Sequence, residues 1–292
     1  MKTQYASATD LVLNPDGSVY HLHLKAENFA DTIILVGDPD RVKHVSRFFH
    51  ETEFEASNRE FVAHTGFYNG QRITALSTGI GTDNIDIVLN ELFGALNFDP
   101  ISREQISTDR KLQIVRIGTS GALQAEDKMG SFLASAFGLG LDGLIHYYSY
   151  QNSRTETAML QSFNKQLDWP QKLAEPYFTT ASKRLLELIT HDMQKGITAA
   201  GTGFYGPQGR KLGGFGKVDV EEKLKNININ GLKVTNFDME TSALYALGKM
   251  FGFECLTVNA IIANRASHEF LEKHNTVIDK LIEIVLNRIT VP

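Results

Sequence analysis

The chain has 292 residues, 42% of them hydrophobic and 22% charged, with a formal net charge of −5 and one cysteine. Such a chain can bury a full core, and its charge balance supplies no basic patch for nucleic acid. An intrachain disulfide framework is excluded, and no apolar run reaches membrane-spanning length.

The N-terminal MKTQYASATD has no apolar signal region, so a cytoplasmic location is expected. After an NPDG turn, SVYHLHL alternates as a short strand or arm would, which would set His21 and His23 on one face. Thr32–Gly37 is a buried-type strand, and DPDRVKHVSRFF behind it opens a helix with Pro39 in its first turn. Two strand runs flank Asn69-Gly70, a strong hairpin signal. Gly79-Ile80-Gly81 leads into an amphipathic helix with Asp83 as its expected N-cap. A polar linker, Asp99–Lys111, precedes a strand at Leu112–Ile117.

That strand carries Arg116 into Gly118-Thr119-Ser120-Gly121, read as a turn of open backbone. A charge so near the end of a core strand is costly unless it is met, either by an anion or by a structural carboxylate. No Lys-Ser/Thr pair follows, so this is not a P-loop. GSFLASAFGLGL is a further buried strand, and Tyr147–Thr180, with little clear period, is expected to be an excursion or lid. A helix (Ser182–Lys195), a strand (Gly196–Gly201), a Gly-rich tract and a short helix (Val218–Lys225) follow. The chain closes with a strand (Leu232–Phe237), a helix from Met239, a strand (Cys255–Ala263) and a helix (Phe270–Arg288). This alternation predicts a single α/β domain over residues 1–292, a three-layer α/β/α sandwich with a central mixed sheet.

Four Gly-rich or charged turns close strands: GDPDR, STGIGTDN, RIGTSGAL and GFYGPQGR. Ligands of α/β sheets collect at the carboxyl ends of strands, so these turns predict a shared site. Arg41 and Arg116 suit a phosphate, although Arg41 also reads as a solvated arginine on a helix turn. GTGFYG matches G-x-G-x-x-G, but Pro207 follows where a dinucleotide fold would open a helix, so NAD is rejected. Gln208 and Arg210 offer an amide and a guanidinium to one planar group, or are two exposed turn residues. Asp238 is placed to cap the next helix and Glu240 to lie in its first turn, where the helix dipole alone favours acids. HEFLEKH lacks zinc-helix spacing, and Cys255 reads as core packing.

VYHLHL, ILVGDPDRV, SNREF, STGIG, VRIGTSGAL, LDG, FYGPQGR, DMETSAL and IIANR together resemble the nucleoside phosphorylase-I superfamily, in its uridine-cleaving branch. The segments run in family order over most of the chain. The resemblance implies a pentosyltransferase that splits uridine reversibly with phosphate in nucleoside salvage. Gly37, Arg41, Arg116 and Thr119 would bind phosphate, with Arg59 reaching in from a neighbouring subunit. Thr119, Met239 and Glu240 would hold the ribose, with His21 from the partner chain. Phe204, Gln208 and Arg210 would take the base, and Arg116, Glu240 and Arg210 would carry the chemistry. The partners implied are nucleoside and phosphate, in a homodimer or a hexamer built from dimers, without nucleic acid or membrane. Inorganic phosphate would be the co-substrate, with no cofactor and no metal.

Purine-cleaving relatives place an aspartate near the strand end matching Ala263-Asn264; Asn264 cannot protonate a purine. Two departures stand out: Asp238 where many relatives have Glu, and Thr82-Asp83-Asn84 after GIG. On the second account, no intersubunit potassium is assigned at Glu60, Ile80 and Asn84. The same-family alternatives are a purine or broad-specificity phosphorylase and a hydrolytic nucleosidase. A non-catalytic nucleoside-binding protein is the alternative of another class.

Overall fold

The computed structural model describes residues 5–291. In chain order the elements are β1 (Thr32–Val36), α1 (Pro39–Ser46), β2 (Glu51–Asn58), β3 (Phe61–Tyr68), β4 (Gln71–Ser77), α2 (Thr82–Asn97), β5 (Gln113–Ala122), β6 (Phe132–Gly140) and α3 (Arg154–Gln166). They continue with β7 (Tyr177–Thr180), α4 (Lys183–Ile189), β8 (Gln194–Ala200), α5 (Val220–Leu224), β9 (Asn228–Ile229), β10 (Leu232–Asp238), α6 (Thr241–Phe251), β11 (Glu254–Asn264), β12 (Glu269–Phe270) and α7 (Asn275–Ile289).

The mixed sheet runs β12-β11-β6-β8-β10-β5-β1-β4-β3-β2. Because β5 also pairs with β11, the strands β5, β11, β6, β8 and β10 close on themselves into a small ring. The buried strand β1 shows why helices cover both faces. Its Ile33 and Leu35 pack with α2 and α6, whereas Ile34 and Val36 pack with α1 and α7. A strand that feeds two cores must be apolar at every position, as TIILV is. A third cluster joins β6, β8 and β10 to Met159 and Phe163 of α3 and to α5.

Local chemistry accounts for several elements directly. The Asp38 carboxylate accepts from Asp40 N–H and Pro39 opens α1, as their order in GDPDR predicts. Asn69 and Gly70 both take positive φ, 50° and 75°, which the two-residue hairpin between β3 and β4 requires.

Other expectations are corrected. Strand β5 runs straight through Gly118–Gly121 to Ala122, so the glycines make no turn. They allow close approach within the ring instead: a Cβ on Gly118 would stand 2.3 Å from Asn259 Oδ1 and 2.4 Å from Arg116 Nη1. Helix α2 begins at Thr82 after Gly81, and Asp83 sits inside its first turn, where the dipole suits it, rather than capping it. Tyr147–Thr180 is packed structure and not a lid. Ser153 and Glu156 form a capping box that starts α3, whose Met159 and Phe163 are buried, and β7 extends the sheet beside β6. SVYHLHL is neither strand nor arm. It turns back so that Val19 pairs with Leu13 and His23 adopts a φ of 53°, which removes the shared face expected of His21 and His23. Strand β2 had no counterpart in the sequence reading. The helices α4 and α7 are shorter than expected, the latter because Phe270 belongs to β12.

Candidate active site

The carboxyl ends of β1, β4, β8, β10 and β11 surround a cavity of about 740 Å³. Gly37, Arg41, Arg116, Thr119, Phe204, Gln208, Arg210, Met239 and Glu240 all line it. Residues spread over two hundred positions are thus brought together by the topology, as strand-end ligand sites require.

Its floor is a buried charge network. Arg116 is 5% exposed; its Nη2 donates to Glu240 Oε2 at 2.5 Å and its Nη1 reaches Asp238 Oδ2 at 3.4 Å. The two readings of this arginine therefore meet: it has structural carboxylates and also faces the cavity. Nε of Arg116 has no partner among the described residues. Glu240 is fixed further by Gly81 N–H on Oε1, at 2.8 Å, and by Met239 N–H on Oε2, at 3.1 Å. A carboxylate has about four acceptor positions, so Glu240 retains capacity for a hydroxyl. Asp238 bonds the start of α6 from two residues before the cap position, which Glu240 occupies. It accepts from Thr241 N–H at 3.3 Å and Thr241 Oγ1 at 2.5 Å, while Glu240 is the residue preceding the helix. Burial, reinforced by the Glu240 charge and opposed by Arg116, pushes the Asp238 carboxyl up to about 6.

Arg41 lies on the same wall and makes no salt bridge among the described residues, although Asp38 is close. Burial and the Arg116 charge lower its pKa, with Asp38 opposing. A buried guanidinium disfavoured by a neighbouring guanidinium lies in a site that an anion would relieve.

The opposite wall carries the planar pair. Gln208, 3% exposed, uses its Oε1 to accept from Arg210 Nη1 at 2.8 Å, and its Nε2 lies 3.4 Å from Asp238 O. Arg210 Nη1 also donates to Phe204 O, and its Cζ lies 3.6 Å above the Phe204 ring. These are not merely two exposed turn residues: the amide is buried and the guanidinium is stacked. Desolvation and the neighbouring Arg265 charge pull the Arg210 pKa down to about 10.

Arg265, in IIANR, is a site residue that the sequence motifs do not assign. It lines the cavity, stands 5.0 Å over the Phe237 ring and pairs with Glu221 at 2.6 Å, and its buried Nη1 has no partner among the described residues. A charge directly after an apolar strand was the available signal, the same one that marked Arg116. His21 and Arg59 are not in the cavity wall. His21 is held by Glu91, and Arg59 stands exposed with a φ of 55° in the turn between β2 and β3. Asn264 is spent on structure, donating to Gln124 O and Asp127 O and accepting from Ala266 and Ser267 N–H. Cys255 is buried, and burial raises its thiol pKa, as fits a packing residue. Among the described residues no cluster of His, Cys, Asp and Glu is arranged to hold a metal ion. No described helix is long and apolar enough to cross a membrane.

The family model described as "Phosphorylase superfamily" matches residues 31–290. The chain belongs to the phosphorylase superfamily. The expectation drawn from its strand-end turns thus holds for the superfamily, for the fold, and for the class of enzyme, a pentosyltransferase. A uridine phosphorylase of Thermococcus kodakarensis is 29% identical over 87% of this chain and 80% of its own length. A DeoD-type purine nucleoside phosphorylase of Clostridium perfringens is 26% identical over 91% of this chain and 97% of its own. The crystal structure of a Trypanosoma brucei nucleoside phosphorylase, described as showing uridine phosphorylase activity, aligns with a TM-score of 0.86 at 26% identity. That alignment covers 97% of this chain and all of the other. Membership of this superfamily implies nucleoside and phosphate as substrates.

Proposed function

We propose that this phosphorylase-superfamily enzyme cleaves uridine reversibly with inorganic phosphate, giving uracil and ribose 1-phosphate. The carrying observation is the buried Gln208 amide joined to the stacked Arg210 guanidinium, across the cavity from Arg41 and Arg116. A phosphate oxygen attacks the anomeric carbon as the bond from that carbon to the base breaks, and the electron pair leaves with the base. Negative charge then spreads over the carbonyl and imide edge of uracil, where a guanidinium and an amide stabilise it without a proton donor. Arg41 and Arg116 hold the phosphate, with Gly37 and Thr119 beside it, and Arg59 from a second copy completes its shell. Glu240 and Met239 fix the ribose between the two.

The purine reading is disfavoured by Asn264, whose amide is fully occupied in holding two loops. A hydrolase or a binding protein has no use for a phosphate pair such as Arg41 and Arg116. The test is base release from uridine, thymidine and inosine, with and without phosphate. Phosphate-dependent release of uracil is expected. Release that ignores phosphate would make this a hydrolase, and cleavage of inosine alone would overturn the pyrimidine assignment.

A further inference from the structure

A belt of buried hydrogen bonds takes one side chain from each strand of the closed ring, in the order β11, β6, β8, β10 and β5. Asn236 Oδ1 only accepts, so the Thr198 hydroxyl donates to it at 2.9 Å and in turn accepts from Ser135 Oγ at 2.6 Å. Asn259 Nδ2 lies 3.5 Å from Ser135 Oγ, whose proton is already spent, so the amide nitrogen is the donor there. At the far end Asn236 Nδ2 donates to Ser120 Oγ at 2.8 Å, and Ser120 Oγ to Phe237 O at 2.6 Å. Every link has one direction, and it leaves Asn259 Oδ1 on the side of Gly118 and Arg116. A Cβ on Gly118 would stand 2.3 Å from Asn259 Oδ1, 2.4 Å from Arg116 Nη1 and 3.3 Å from Arg116 Cζ, so both groups border the space that this glycine leaves. Thr257 is in register with Arg116 as Asn259 is with Gly118, and the alternation of side chains puts all four on one face of the paired strands. Three buried atoms of this group, Arg116 Nε, Thr257 Oγ1 and Asn259 Oδ1, have no hydrogen-bond partner among the described residues. The nearby Tyr245 hydroxyl is engaged, accepting from Thr257 N–H at 2.8 Å and donating to Ser135 O at 2.7 Å.

A guanidinium nitrogen only donates, an amide oxygen only accepts and a hydroxyl does either, so whatever fills this space must both accept and donate. A cation is opposed by Arg116, and an anion by Asn259 Oδ1 and by the carboxylates of Asp238 and Glu240 on the same guanidinium. We propose that one water molecule is bound over Gly118, accepting from Arg116 Nε and donating to Asn259 Oδ1 and Thr257 Oγ1. Three partners are what a buried water usually has. Glu240 and Asp238 hold the two terminal nitrogens of Arg116, and the water holds the third, so the guanidinium is fixed in its plane. Resting on the phosphorolysis reading above, Thr257 and Asn259 are positioning residues that keep Arg116 aligned between phosphate and ribose.

The water is tested by the electron density of a wild-type crystal at high resolution. One peak within about 2.7–3.2 Å of all three atoms is expected, and no peak, or one that reaches fewer of them, overturns the proposal. The positioning role is tested in uridine phosphorolysis by Thr257→Val, which keeps the shape without the hydroxyl, and Thr257→Ser, which keeps the hydroxyl. One neutral hydrogen bond lost from the support of Arg116 should lower kcat about fivefold in Thr257→Val, with the KM for phosphate changed less than about twofold. Thr257→Ser should keep kcat within about twofold of wild type. An unchanged kcat in Thr257→Val, an effect confined to KM, or an equal loss in both variants overturns the role. Should Thr257→Val not fold, Thr257→Ala, which also lacks the hydroxyl, takes its place with the same outcomes. If the wild-type protein releases no base from uridine in phosphate, it is the phosphorolysis reading that falls, and the density still decides the water.

Discussion

Replacing Arg210 by alanine isolates the charge proposed to face the departing base. In the structure this guanidinium bonds Gln208 Oε1 at 2.8 Å and stacks 3.6 Å from Phe204. Its positive charge is poorly compensated, because desolvation and Arg265 both act against it. An anion growing on the base recovers that deficit in the transition state more than in the ground state, so the loss should fall on kcat as well as on kcat/KM. A hydrogen bond to a charged group contributes about 1.5–3 kcal/mol. At 1.36 kcal/mol per decade, that is a fall of about 10- to 150-fold. The cost to folding is small, since the stacked contact is worth about 0.5–1 kcal/mol at a partly exposed site. The assay is steady-state phosphorolysis of uridine and of 5-fluorouridine, whose base leaves more readily as an anion and so needs less help. Arg210→Ala should lose less on the fluorinated substrate, and Arg210→Lys should fall between alanine and wild type. Losses equal on both substrates, or below threefold on uridine, would refute the placement of the base, while a melting temperature lowered by ten degrees would mean that Arg210 is structural.

The acid pair on the floor makes stability depend on pH. Since the folded Asp238 carboxyl is raised to about 6 from 3.8, its contribution to stability is complete below 3.8 and is lost as pH rises through about 6. Asn in its place should therefore gain in melting temperature relative to wild type between pH 5 and 7.5, and a constant offset would contradict this. Arg41→Ala should raise the KM for phosphate by about tenfold or more. The same variant should leave the phosphate-free melting temperature unchanged or higher, because it removes a repulsion with Arg116; a clear drop would show a structural role. Arg59→Ala and Arg41→Ala should each be poorly active alone. Mixed and reassembled, they should recover activity in heterodimers that contain one intact site, and no recovery would mean that the site is complete within one chain.

The elements legible in the sequence are those whose cause is local. TIILV needs only two apolar faces, GDPDR carries its own cap, and Asn69-Gly70 supplies both positive φ angles. Strand β2 was not legible because ETEFEASN has its charges in solvent, as an edge strand does, and shows no apolar run. Gly118 to Gly121 read as a turn because glycine commonly marks one. Its use here, for close approach inside a ring closed by β11, depends on residues some 140 positions away. Likewise Glu91 looks like an ordinary helix acid until the fold brings His21 to it across 70 positions. Most of the cavity wall was legible from its turns, whereas the direction in which each charge is compensated was not.

That compensation changes what the centre of the site does. Arg116 is shared between two carboxylates, so with both acids ionised the floor is negative, and it attracts phosphate less than a lone arginine would. In the proposed reaction, attraction then falls on Arg41, which makes no salt bridge among the described residues, and on Arg59 of a second copy. What Arg116 supplies is geometry. One nitrogen grips Glu240, proposed above to hold the sugar, and the guanidinium lines the same cavity as Arg41, so that in the proposed reaction nucleophile and anomeric carbon are referred to a single rigid group. Alignment of two reactants contributes more to such a displacement than one further unit of charge. On this argument the buried acids cost affinity for phosphate and return it as orientation, and Asp238, with its raised proton affinity, limits how large that cost becomes.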